Sequence, residues 1–336
     1  MHCLLSNGVV NIAAFKWLEV LGEWELLHGY VQKFVLPKAF NTIQLKTILD
    51  SKRLPKHRAH GKINATASEL LTLCSVLAHF ARTVCVPANV HIQETNLFLA
   101  LVLFLDLLQA SWHGKVRPAD LKHAAEDCLV QWNQLSWKMI KKHHWMLHFH
   151  EMLEKHGCIP PCFCMERKNK VPARIASGIQ NTRAFEQSLY LEVVTLELER
   201  VKSPDAFALD AAMEGVKPAG KPLKKVAAHL WHNVDNFQTC KTARILYGTC
   251  SKGDVVYMES AVGNKFDACE IMTFVSNTGT EVAIGHMLAL KHLHKTFAVW
   301  IETDQLEAID LKQLKAAVSF SKNEGEVTTL TPWHLR

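Results

Sequence analysis

No apolar run in this 336-residue sequence has the length of a bilayer-spanning helix. The longest, Leu97 to Leu108, holds twelve residues and carries Asp106, whereas a span needs about 20. A buried core helix is expected there, and no membrane partner. The start, Met1-His2-Cys3-Leu4-Leu5, lacks the basic flank and sustained apolar stretch of a secretory signal, so the chain is expected inside the cell, nuclear or cytoplasmic, and not secreted. Also missing are the G-x-S-x-G of a nucleophile elbow, the G-x-x-x-x-G-K-[ST] of a phosphate loop and the G-x-G-x-x-G of a dinucleotide fold. Hydrolase and nucleotide-binding classes therefore have no support. No internal repeat and no low-complexity or collagen-like composition is present. Ten cysteines are scattered. Cys74, Cys85 and Cys128 sit in apparent core helices, where a reduced thiol behaves as a small hydrophobe, which suits a reducing compartment. Cys158, Cys162 and Cys164 with His156 are spaced too loosely for the paired knuckles of a zinc site.

What is present is a foldable chain, 49% apolar and 21% charged, with a formal charge of +6. The charge is concentrated. Between Lys138 and Arg183 nine basic residues (Lys138, Lys141, Lys142, Lys155, Arg167, Lys168, Lys170, Arg174 and Arg183) face three acids (Glu151, Glu154 and Glu166), an excess equal to that of the whole chain. Such clustering favours an anionic partner. A second basic stretch, residues 51 to 62 (SKRLPKHRAHGK), reads as a solvated connector, with phosphate contact as its lesser alternative.

The first 140 residues read as nearly all helix. Residues 11–36 show spacings of three and four, hinged near Gly22 and stopped at Pro37. Thr66 and Glu69 form a capping-box pattern ahead of a helix closed by Pro87. Another helix spans about Gln93 to Trp112. A further one begins at Pro118 and runs through Ile140, and a last one covers Asn181 to Arg200. Residues 203–225 carry prolines at 204, 218 and 222 with Gly215 and Gly220 and keep no apolar period, so a linker is expected. Beyond it ILYGTC, KGDVVYM, DACEIMTFV, EVAIGHMLAL and KTFAVWIE read as five or so strands. The expected organisation is a helical region at 1–202, a linker at 203–239 and a small β barrel or sandwich at 240–336, α+β overall.

The segment 142–183 carries the chemistry. Its string HHWMLHFHEMLEKHG, then MERKNK, then NTRAFE, resembles the C-terminal part of the catalytic region in transposases of the CACTA and Plavaka groups. The resemblance covers residues 1 to about 200. It implies an RNase H-like fold in which two Asp and one Glu hold Mg²⁺, with a large helical insertion ahead of the Glu. The family's Glu maps onto Glu166 in Met165-Glu166-Arg167-Lys168, and Met1-His2 followed by CLLSNGVVN resembles the end of a short signature closing on His2. Pro172 departs from the pattern, since it interrupts a helix begun at Glu166. On this resemblance both catalytic Asp strands lie upstream of residue 1, and the chain is mainly α, the helical insertion and remnant of an RNase H-like domain followed by the small β module. Two-metal chemistry needs carboxylates from separate strands, and one Glu binds Mg²⁺ weakly, so no cofactor is expected in isolation. The bland reading of Glu166 is an ion pair with Lys170.

His144 and His148 lie one helical turn apart and could ligate Zn²⁺ together, yet Trp145, Met146, Leu147 and Phe149 read as packing residues, so a structural segment is expected instead. Two functions remain. The first is a transposase-derived, catalytically incomplete protein binding DNA through Lys141, Lys142, Arg167, Lys168, Lys170, Arg174 and Arg183. The second is a non-enzymatic interaction protein, with a protein partner for the C-terminal β module. The resemblance predicts no strand cleavage or transfer by the isolated chain in Mg²⁺ or Mn²⁺; metal-dependent plasmid nicking that disappears in Glu166→Ala would overturn it.

Overall fold

The computed structural model describes residues 4–5, 7–40, 44–112, 114–159, 172, 174–179, 183–202, 211–220, 237–260, 266–277, 280–332 and 335. The chain is α+β, with helices in its first two thirds and antiparallel strands in its last third. It divides into two compact units, residues 1–11 with 103–209 and residues 12–102 with 210–336.

Helices among the described residues include α1 (Val9–Leu21), α2 (Trp24–Gln32), α3 (Leu45–Ile48), α4 (Leu54–His60), α5 (Ala67–Phe80), α6 (Ile92–Ser111), α7 (Pro118–Gln134), α8 (Lys141–Met146), α9 (Phe149–His156) and α10 (Phe185–Lys202). Helix α1 ends at Gly22, whose φ of 72° is open to glycine at no steric cost. The Thr66 capping box forms as its spacing predicts: the Glu69 amide donates to Thr66 Oγ1 at 3.3 Å, and the Thr66 amide donates to Glu69 Oε2 at 2.8 Å. Helical structure ends just ahead of Pro87, as expected, but α5 itself does not run that far as a regular helix. It widens into a π-helical turn, Ala81–Cys85, closed by Val86 N–H donating to Ala81 O at 2.9 Å. The 20 residues of α6 are long and apolar enough, by length and composition, to cross a membrane. Within the protein Leu97, Phe98, Leu101, Val102, Phe104, Leu105 and Leu108 of this helix are buried.

In the unit formed by 12–102 and 210–336, Trp17 stacks on Phe98 with centroids 4.5 Å apart, and its indole N–H donates to Thr95 Oγ1 at 3.0 Å. The basic stretch 51–62 is not a bare connector, because it winds into α4. Its buried His57 is fully used, Nε2–H donating to Ile48 O at 2.8 Å and Nδ1 accepting from the Asn64 amide at 2.9 Å. Arg58 pairs with Glu19 at 3.0 Å.

The strands are β1 (Ala212–Glu214), β2 (Lys217–Pro218), β3 (Gln238–Cys240), β4 (Thr242–Ile245), β5 (Gly248–Ser251), β6 (Val255–Met258), β7 (Asp267–Asn277), β8 (Thr280–Leu293), β9 (Phe297–Asp310), β10 (Leu314–Val318), β11 (Phe320–Asn323) and β12 (Glu326–Leu330). The larger sheet runs β10-β6-β7-β8-β9-β12-β11, with β3 on the free half of β7 and β2 beside it; the smaller runs β1-β4-β5. Strands β1 and β2 fall inside the stretch read as a linker, and ILYGTC is the β4–β5 hairpin rather than one strand. The hydrogen-bonded path is open at β10 and β11, so no closed barrel forms among the described residues. Only Ser319 separates those two end strands in sequence, and the sheet therefore curls until its ends meet.

Strand β6 is buried on both faces, as near-continuous apolar strands are. Val256 and Met258 join a cluster with Cys250, Cys269, Ile271, Phe274 and Leu314. Val255 and Tyr257 point the other way, into a cluster with Phe266, Leu288, Trp300, Val318 and Val327. Helices and sheet of this unit are tied directly. Val35 and Phe320 exchange backbone hydrogen bonds at 2.7 and 3.0 Å, the Lys38 amide donates to buried Asp254 at 3.1 Å, and the His79 ring meets Phe297 edge-on at 4.7 Å. One unit boundary, 209/210, falls within the break read at 203–239, whereas the others, 11/12 and 102/103, divide the region read as a single helical domain.

His79 also hydrogen-bonds the Tyr30 hydroxyl through Nδ1, and its Nε2 is buried without a hydrogen-bond partner. Burial, with Arg82 and His294 nearby, pushes His79 down from 6.5 to about 4. The unfolded chain takes up this proton from about pH 6.5 downwards while the folded chain resists it until about 4, so stability is full above that window and falls as pH drops through it. The loss due to His79 should be on the order of 3 kcal/mol. Denaturant unfolding of the protein between pH 7 and 4 should show it, and His79→Leu should shrink the fall; an unchanged pH slope in the variant would refute the assignment.

Candidate nucleic-acid interface

The unit of residues 1–11 and 103–209 holds the basic segment. Helix α7 opens with Pro118 in its first turn and an Arg117–Asp120 fork of 2.9 and 2.7 Å. Leu121, Ala125, Cys128 and Trp132, at spacings of four, three and four, bury one stripe of it. Helix α9 packs on α7, with Leu153 buried, and Phe149 meets Phe104 at 6.1 Å.

Helix α7 stops at Gln134, short of the expected Ile140. Ser136 turns the chain with a φ of 52°, and the Trp132 indole N–H donates back to Trp137 O at 2.9 Å. Buried His143 fastens the other side of this loop. Its ring sits 4.2 Å from Trp132, and its Nδ1 accepts from the Ile140 amide at 2.9 Å, which leaves Nε2 buried without a hydrogen-bond partner. Burial holds His143 below the usual imidazole range. The segment between α7 and α8 is thus clamped from within, with Lys138 exposed on it and Lys141 exposed at the start of α8.

Lys142 Nζ donates to Asn7 O at 3.0 Å, so this lysine also ties the first residues of the unit to α8. Arg174 and Arg183 are exposed. Glu166, Arg167, Lys168, Lys170 and His2 lie outside the described residues. Among the described residues Lys138, Lys141, Lys155 and Arg174 make no ion pair. One residue of the surface was misread in the sequence. Trp145 stands four residues after Lys141 on the same short helix and is 51% exposed, whereas Met146 is the packing residue. A cationic surface with an exposed indole can neutralise phosphates and stack on a base.

Among the described residues no group of three or more His, Cys, Asp or Glu side chains is placed to hold a metal ion. No family model, curated protein or solved structure matches this chain.

Replacing His143 by Phe keeps a ring against Trp132 but removes the acceptor for the Ile140 amide. A buried donor left unsatisfied costs about 1–3 kcal/mol, so His143→Phe should lower stability by that order and speed hydrogen exchange at Ile140. Unchanged exchange at Ile140 would mean that His143 does not hold the loop.

Proposed function

We propose that this chain is a transposase-derived protein that binds nucleic acid through the basic segment of residues 138–183 and does not by itself carry a complete strand-transfer centre. The observation that carries the reading is the joint exposure of Lys138, Lys141, Lys155 and Trp145 on a clamped surface with no ion pair at those lysines among the described residues. Lysines held in this way keep a positive charge that the protein does not neutralise, and on contact with a phosphate backbone they displace its condensed cations. The half-exposed indole adds a platform on which a base can stack whatever its identity. The resemblance to CACTA and Plavaka transposases supports the same reading: it makes this region the C-terminal part of an RNase H-like catalytic region and Glu166 its carboxylate, with Mg²⁺ as the family's ion. In this reading the strand-rich segment is a small barrel-type module.

A second reading, contact with another protein, is favoured by α10. None of its described side chains is buried, and Tyr190, Leu191 and Leu198 are 68%, 55% and 55% exposed. It predicts association of the chain that Leu191→Glu with Leu198→Glu abolishes.

Phosphate contacts make log affinity fall with log salt by about 0.9 per contact on duplex and about 0.7 on single strands. Fluorescence anisotropy with a labelled oligonucleotide should give a slope of roughly three to five. Charge reversal of Lys138 and Lys141 should flatten the slope by about two contacts and weaken all sequences alike. Trp145→Ala should leave the slope unchanged yet cost about 1–3 kcal/mol on single strands. Absence of binding at low salt, or a slope indifferent to Lys138 and Lys141, would transfer the case to the protein-contact reading.

A further inference from the structure

The two histidines one turn apart in the basic segment face each other. His144 comes from α8 and His148 from the turn that joins α8 to α9; their Nε2 atoms are 3.1 Å apart, with ring centroids 4.8 Å apart and planes at 77°. The second ring nitrogen of His148 is engaged as well, since Nδ1 lies 3.0 Å from Glu151 Oε2. A carboxylate accepts, so Nδ1 carries the hydrogen and donates it. With the proton of neutral His148 fixed on Nδ1, its Nε2 lone pair is aimed at His144, which donates across the gap.

Metal ligation needs this orientation. Imidazole nitrogens bind Zn²⁺-type ions at about 2.0–2.1 Å, so two of them at angles between a right angle and the tetrahedral value stand about 2.9–3.4 Å apart. The 3.1 Å found between the two Nε2 atoms falls within that interval. A carboxylate hydrogen-bonded to the far nitrogen of a ligating histidine fixes its tautomer and raises its basicity. We propose that His144 and His148 form a two-imidazole site for a divalent transition cation of the Zn²⁺ or Ni²⁺ class, with Glu151 as the positioning residue. The cation replaces the hydrogen between the rings. His144 moves that hydrogen to Nδ1 through solvent, so both ligands bind as neutral imidazoles and no proton is released. Both rings are exposed, and water fills the remaining coordination positions. A hard ion such as Mg²⁺, which prefers oxygen, is not the occupant. This site is independent of nucleic-acid binding.

Ni²⁺ alone is the probe, because imidazole suits it and the chain holds ten cysteines that would also draw Zn²⁺. Isothermal titration of the full chain should show a class of one equivalent that is lost in His144→Ala and equally in His148→Asn, because each removes half of a chelate. Glu151→Gln should keep the stoichiometry and weaken binding about tenfold. In imidazole ¹⁵N spectra, substoichiometric Ni²⁺ should broaden His144 and His148 before any other histidine. Wild-type stoichiometry and affinity in either histidine variant, or first broadening at other histidines, would overturn the proposal.

Discussion

The buried hydroxyl of Thr329 is the point on which the curled sheet depends. It accepts the indole N–H of Trp300 at 2.8 Å, meets the Tyr257 hydroxyl at 2.6 Å and lies 3.3 Å from Ala298 O. A hydroxyl has one hydrogen and two lone pairs, and the three contacts use all of them if Thr329 donates to Ala298 and Tyr257 donates to Thr329. Two large aromatics, from β6 and β9, thereby bury their polar atoms inside an otherwise apolar cluster. Without such a partner each would carry a desolvation cost comparable to what its ring contributes. Tyr257 also stacks on Phe266 at 4.3 Å, so the order imposed by one threonine extends across the interior of the sheet.

The basic unit uses a related device with a different outcome. The Trp132 and His143 rings pack on each other and direct their hydrogen bonds to the backbone of Trp137 and Ile140, while Lys138 and Lys141 stay exposed. Rigidity there comes from a buried tryptophan and a histidine kept neutral by burial, so the surface charge is held without any counter-charge beneath it. A neutral anchor under a cationic surface leaves the field of the lysines undiminished, and a polyanion meets that field before it meets any shape.

Elements written in neighbouring residues were legible in the sequence. The α5 cap needs only Thr66 and Glu69, and the α1–α2 hinge needs only Gly22. Elements fixed by distant contacts were not. The end of α7 is set by Trp132 reaching Trp137, which no periodicity reports. The β4–β5 turn exposes Leu246 and Tyr247, apolar residues that read as strand interior. Strands β10 to β12 were passed over because Leu314–Val318 has the alanine content of a helix and takes its extended form from pairing with β6. In the candidate interface Lys141 and Lys142 stood out by charge alone. The exposure of Trp145 and the facing of His144 and His148 depend on how α8 and α9 meet, and spacing gives only that they share a side.

The junction at Ser319 has a kinetic consequence. Strands β11 and β12 are joined by a two-residue turn at Glu324 and Gly325, so they find each other quickly, whereas β10 must find β6 across the whole length of β7, β8 and β9. Loop-closure entropy has to be met before that pairing gives anything back, and contacts so far apart in sequence slow folding. Until it forms, β6 and β10 each show an unpaired edge to other copies of the chain, which makes the interval before closure the period in which misassembly competes with folding.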